Sequence, residues 1–261
     1  MKISANGIDI HCEISSQTPG RPWVTLAHSL ATDLTLWDDV AATLASRFNV
    51  LRYDARGHGQ TSAPEGSYSF PQLVGDLTGL LDALQIERTH FVGLSMGGML
   101  AQHFALAAPE RLDKLVVVSS TSRIPPEAGA LWAERIAAAR SQGMQAHVDA
   151  TLARWFTTPY RAAHPEVMAR IGALVAATPV AGFAGWGAAI CTLDVTAQLK
   201  HVQAPTLVVV GAEDPGTPPA ASEAIAAAIP GARLEIISSA SHQLVIEQAE
   251  TFNRLLLDFL A

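Results

Sequence analysis

The chain has only two cysteines in 261 residues, Cys12 and Cys191, far apart and in no ligand-like spacing. That excludes a disulfide framework and a cysteine-based structural zinc site, and two buried free thiols are expected instead. Charged residues make up 16% of the chain against 49% hydrophobic, too little charge for a disordered segment to dominate. No apolar run approaches the roughly 20 residues that cross a bilayer, and the start lacks a basic-then-apolar leader pattern. The expectation is therefore no membrane partner and a cytoplasmic location. Basic charge is also short: 17 Lys and Arg against 24 Asp and Glu give a net −7, which disfavours nucleic acid.

The deficit is uneven. Residues 122–193 hold six arginines (123, 135, 140, 154, 161, 170) against four acids, a balance of +2, so the remaining residues carry −9. A basic segment in an acidic protein suits an anionic small molecule, and it equally suits solvated helix faces.

At this length the chain forms one large domain, or one domain with an insertion. Ile8–Ile14 alternates apolar and polar residues as a half-exposed strand does, and Asn6-Gly7 before it signals a hairpin turn. Apolar runs at Trp23–Ala27, Phe48–Tyr53, His90–Leu94, Leu115–Ser119, Thr206–Val210 and Leu234–Ile237 read as strands. Helical periods lie between them: Trp37–Ser46, Phe70–Leu84, Met99–Ala108, Ala220–Ile229 and, last, Glu247–Phe259. This alternation predicts the α/β class, a mostly parallel sheet with helices on both faces. It stops at Ser122. From Glu127 to Leu193 only helical patterns occur, about four short helices broken at Gly143, Pro159, Pro165, Pro179 and Gly182. Residues 1–121 and 194–261 thus read as an α/β core, and 122–193 as an inserted helical cap.

The chemistry centres on Gly93-Leu94-Ser95-Met96-Gly97, which joins the His90–Leu94 strand to a helical pattern. Gly-x-Ser-x-Gly between strand and helix is the setting of a nucleophile elbow, where a strained turn leaves no room for side chains two residues either side. A serine hydroxyl needs a base, usually a histidine oriented by a buried carboxylate. On this architecture acid and base follow the serine. Asp214 directly follows the Val208–Val210 strand, with Glu213 as the near competitor. His242 follows the Leu234–Ile237 strand. Both loops fall at the carboxyl edge of the sheet, where open α/β sheets form ligand sites. Of the rival histidines, His28 and His58 precede the serine, His90 begins the elbow strand, and His103 lies two helical turns beyond Ser95. An oxyanion hole needs fixed N–H donors, expected from Met96 and from Leu30 after the Trp23–Ala27 strand.

Assembled in this way, the chain resembles the serine α/β-hydrolase superfamily over its whole length, and within it the 3-oxoadipate enol-lactonases. The likeness is carried by Ser29-Leu30-Ala31-Thr32-Asp33-Leu34 with Trp37, by Leu51–Gly59, and by the elbow through Met99. It extends to Arg154-Trp155-Phe156-Thr157 in the cap and to Asp214–Pro219. The chain departs from the family in having Ala27-His28 before Ser29, Gln243-Leu244 after His242, and no glycine after Arg123-Ile124. The resemblance implies an enzyme, a carboxylic ester hydrolase that opens a small carboxylate-bearing lactone without metal or organic cofactor. The cap is expected to roof Ser95, with Trp132, Trp155 and Trp186 as candidate pocket walls and Arg135 or Arg154 as candidate partners of the substrate carboxylate; helix packing is the alternative role for each. Other lactonases, carboxylesterases and cofactor-free perhydrolases share such a triad, and a ligand-sensing receptor shares the pocket. A homo-oligomer is compatible with the sequence.

Overall fold

The computed structural model describes all residues, Met1 to Ala261. Eight strands form one sheet: β1 (Lys2–Ala5), β2 (Ile8–Ser16), β3 (Trp23–Ala27), β4 (Asn49–Tyr53), β5 (Thr89–Leu94), β6 (Leu112–Val118), β7 (Thr206–Gly211) and β8 (Arg233–Ile237). Their spatial order is β1-β2-β4-β3-β5-β6-β7-β8. The first two pairings are antiparallel and the other five parallel. Asn6 and Gly7, at φ 48° and 77°, make the tight left-handed turn between β1 and β2. Every residue of β4, β5 and β7 is buried, as strands covered on both faces must be.

The core helices are α1 (Asp38–Leu44), α2 (Phe70–Ala83) and α3 (Met96–Ala107). Ser69 caps α2 by accepting the Gln72 N–H, with Pro71 in the first turn where its missing donor costs nothing. The expected helix at Trp37–Ser46 is shorter, because a 3₁₀ turn at Leu34–Trp37 precedes α1.

Between β6 and β7 lies the cap, with five helices rather than about four: α4 (Ala128–Gln142), α5 (Val148–Trp155), α6 (Thr158–Ala163), α7 (Pro165–Ala177) and α8 (Val180–Ile190). A two-stranded neck closes its base, where the Ile124 N–H donates to Leu193 O and the Val195 N–H to Ser122 O, each at 2.9 Å. Gly143 ends α4 at φ 76°. Gly182, expected to break a helix, sits inside α8. A Cβ there would fall 1.8 Å from Gly57 O, so the glycine admits the core backbone against the helix. The apolar cluster runs without interruption from the sheet into the cap, including Trp132, Trp155, Ile171 and Phe183.

The chain ends with α9 (Pro219–Ala228), a short α10 (Leu244–Glu247) that the sequence pattern does not suggest, and α11 (Ala249–Leu260), the expected final helix. In α11, Phe252, Leu256 and Leu260 recur every fourth residue and are buried, the stripe that fixes it to the core. Helix α1 packs on α11, and α2 on α3. No single helix is long and apolar enough to cross a membrane. Both cysteines are free thiols, but Cys191, at the end of α8, is partly exposed rather than buried.

Candidate active site

Parallel strands deliver the loops after β3, β5, β7 and β8 to one edge of the sheet, and the cap lies above that edge. Between them is a cavity of about 530 Å³ lined by Leu30, Ser95, Met96, Trp132, Arg135, His147, Arg154, Trp155, Thr217 and His242, among others.

Ser95 sits between β5 and α3 at φ 55°, ψ −110°, a conformation costing a non-glycine residue on the order of 1–3 kcal/mol. The surroundings hold it there. Its N–H donates to Val118 O at 2.8 Å, and its carbonyl accepts the Ser120 hydroxyl at 2.9 Å. A Cβ on Gly93 would lie 2.1 Å from Gly97 O, and one on Gly97 would lie 2.2 Å from Ala27 O, so only glycine fits at either position. The helix begins at Met96, three residues before the apolar pattern suggests. It therefore points its free N-terminal N–H groups at the serine.

Asp214 and His242 form a buried pair, with His242 Nδ1 2.7 Å from Asp214 Oδ2 and side chains 6% and 0% exposed. The carboxylate also accepts the Thr217 hydroxyl at 2.8 Å and the N–H groups of Gly216 and Thr217 at 2.8 and 3.0 Å. Burial pushes the Asp214 carboxyl up, but His242 and the Thr217 donors outweigh it and hold the group below the ordinary range. An acceptor at Nδ1 fixes the proton on that nitrogen and leaves Nε2 free to take one. Glu213, the competing acid, is exposed. Ser95 and His242 face the same cavity without a hydrogen bond between them, a contact that in such sites often tightens only with substrate bound.

Leu30 and Met96 line the cavity, and their N–H groups take no part in the loop and turn hydrogen bonds. Two histidines set aside as bases brace the Leu30 loop. His58 Nε2 accepts the Ala31 N–H and His28 Nε2 accepts the Ala55 N–H, both at 3.0 Å, while each Nδ1 faces a backbone carbonyl. Both rings are therefore neutral. Burial lowers both pKa values, that of His58 to about 3 with help from His28. His90 is buried beside Phe48, and His103 is stacked on Phe70.

In the cap, Trp132, Arg135, Arg154 and Trp155 reach the cavity. Trp186 does not. It is fully buried with its indole N–H on Arg56 O at 2.8 Å, so it pins α8 to the core instead of walling the pocket. Arg135 lies over the Trp132 ring at 4.5 Å. Neither the Arg135 nor the Arg154 guanidinium finds an acidic partner, unlike Arg52, Arg56, Arg88, Arg111, Arg123 and Arg233. Burial, and then the charge of Arg154, lower Arg135 to about 10; burial lowers Arg154 too, against the opposing pull of Asp214. His147 and Thr217 were not singled out by sequence. For Thr217 the signal existed, a hydroxyl three residues after the acid in an Asp-Pro-Gly turn.

A family model of the alpha/beta hydrolase fold matches residues 22–249. The chain is 35% identical to 3-oxoadipate enol-lactonase 2 of Acinetobacter baylyi over 233 residues, 89% of this chain and 86% of that one. It is 29% identical to a putative carbamate hydrolase of Stutzerimonas stutzeri, across 97% of both chains. The crystal structure of an enol-lactonase from Burkholderia xenovorans superposes with a TM-score of 0.95 at 38% identity, covering 100% of this chain and 99% of that one. With this sheet, elbow and inserted cap, the chain belongs to the α/β-hydrolase family and is a hydrolase.

Proposed function

We propose that the protein opens a small carboxylate-bearing lactone, of the 3-oxoadipate enol-lactone kind, through a Ser95–His242–Asp214 triad. His242 Nε2 takes the Ser95 proton as Oγ attacks the ring carbonyl, and Asp214 steadies the resulting imidazolium. The N–H groups of Leu30 and Met96 receive the oxyanion. The C–O bond of the ring breaks and His242 returns its proton to the departing oxygen. An enol leaves more readily than an alkoxide, and its keto form makes ring opening hard to reverse. Water, deprotonated by His242, then adds to the acyl-enzyme and frees Ser95 and a second carboxylate. None of these steps draws on a metal or organic cofactor.

The observation that carries the substrate class is the pair of guanidiniums, Arg135 and Arg154, without acidic partners and lining one cavity with Ser95. Holding two cations close together is unfavourable until an anion arrives. Cap aromatics narrow the approach of competing water to Ser95. The proposal extends to a role in aromatic-compound catabolism in the cytoplasm. The test is a hydrolysis panel of anionic enol-lactones, saturated lactones and neutral aryl esters. The anionic enol-lactone should give the highest kcat/KM, and preference for neutral esters would overturn the substrate class. A receptor would instead hydrolyse about one equivalent and stop.

A further inference from the structure

The loop that carries His242 is joined to the cap by a row of polar contacts. The Ser241 hydroxyl donates to Arg154 O at 3.3 Å, and the Gln243 N–H donates to Trp155 O at 3.0 Å. Beside them lies Glu247, the last residue of α10, buried and without a cationic partner. Its Oε1 accepts the Thr157 N–H at 2.7 Å and its Oε2 accepts the Ser241 N–H. One carboxylate thus spans the seam between cap and core, each oxygen holding a backbone amide from a different side. Arg154 and Trp155, three and two residues before the Thr157 amide, and His242, next after Ser241, all line the cavity.

We propose that Glu247 is a positioning residue that sets the cap's Arg154 and Trp155 in register with His242. The inference depends on the proposed roles of His242 as base and of Arg154 as partner of the substrate anion. Burying a carboxylate is costly, and apolar packing would fasten a cap at less expense. What a carboxylate adds is geometry, two acceptors at a fixed separation and no donor. Glutamine would turn an N–H group towards one of the amides. Through Glu247 the distance between the proton-accepting nitrogen and the anion-binding guanidinium becomes a fixed property of the seam, and a lactone must match it at both ends.

Two kinds of substitution test this. Glu247→Gln keeps the size and loses one acceptor. Thr157→Pro removes the opposing donor without disturbing the chain: Thr157 has φ −61° and ψ 152°, and Phe156 before it is extended at φ −128°, ψ 144°. Thr157→Ala is its control, losing the same hydroxyl and keeping the N–H. For each, kcat/KM is measured on an anionic enol-lactone and on a neutral aryl ester, with Tm recorded. A neutral ester does not use Arg154, so the anionic-to-neutral ratio should fall roughly tenfold in Glu247→Gln and Thr157→Pro, the scale of a misplaced charge-assisted contact. It should hold in Thr157→Ala, and in an Arg154→Met background Glu247→Gln should no longer move it. An unchanged ratio, with both activities falling alongside Tm or neither falling, overturns the proposal. Should Glu247→Gln not fold, Thr157→Pro against Thr157→Ala decides alone. Ser95→Ala separates the two ideas: retained turnover there removes the triad reading, whatever the seam variants do.

Discussion

The indole of Trp155 lies against the imidazole of His242, ring centroids 6.2 Å apart and planes inclined by 26°. A cap side chain therefore confines the ring proposed as the base, in addition to Asp214 below it. An aromatic pair of this kind contributes about 0.5–1.5 kcal/mol beyond its buried area, so Trp155→Leu should lower kcat about three- to tenfold. Steady-state kinetics on a neutral ester, which does not need the arginines, isolates this effect. Unchanged kcat would mean that the stack does not orient His242.

The two arginines predict a divided response. Arg135→Met and Arg154→Met each remove a charge-assisted hydrogen bond to a substrate carboxylate, and kcat/KM on the anionic lactone should fall roughly 10- to 100-fold. Activity on neutral aryl esters should stay within about threefold, a margin below the worth of one neutral hydrogen bond. Equal losses on both substrates would place these residues in packing.

Most of the layout was legible because buried parallel strands leave uninterrupted apolar runs, and the loops that follow them carried Ser95, Asp214 and His242 in order. Glycine misled twice. Gly97 and Gly98 are weak helix formers, which hid the start of α3 at Met96, and Gly182 reads as a breaker although it serves close approach to Gly57. Trp186 could not be placed because composition gives no sense of which helix face meets the core and which the cavity. The Glu247–Thr157 contact left no trace, since nothing local marks a pairing between distant segments.

Gly182→Ala tests how the cap is seated. The added Cβ would fall 1.8 Å from Gly57 O, so α8 or the Arg56–Gly57 turn must move. Overpacking of this kind costs about 1–3 kcal/mol, and Tm should drop while the far side of the cap stays tied to the His242 loop. Differential scanning calorimetry reads the loss directly. A Tm equal to wild type would show that α8 slides freely on the core.

The buried neutral histidines make stability depend on pH. His58, with its folded pKa near 3 against 6.5 unfolded, binds more protons in the unfolded chain throughout that interval. Stability is therefore full above about pH 6.5 and declines as pH falls, by up to about 1.4 kcal/mol per unit for one such group. Denaturant midpoints between pH 7 and 4 should show this decline, and His58→Gln should flatten it while also weakening the hold on Ala31. An identical slope in the variant would mean that His58 is charged in the folded protein.

The nucleophile is reached most directly by Ser95→Ala, assayed for turnover of an anionic enol-lactone with the fold verified by circular dichroism. Loss of the attacking oxygen should lower kcat by roughly 10⁴- to 10⁶-fold, as when a triad serine is removed elsewhere. A folded variant that hydrolyses the lactone at a rate near wild type would contradict the mechanism at its root.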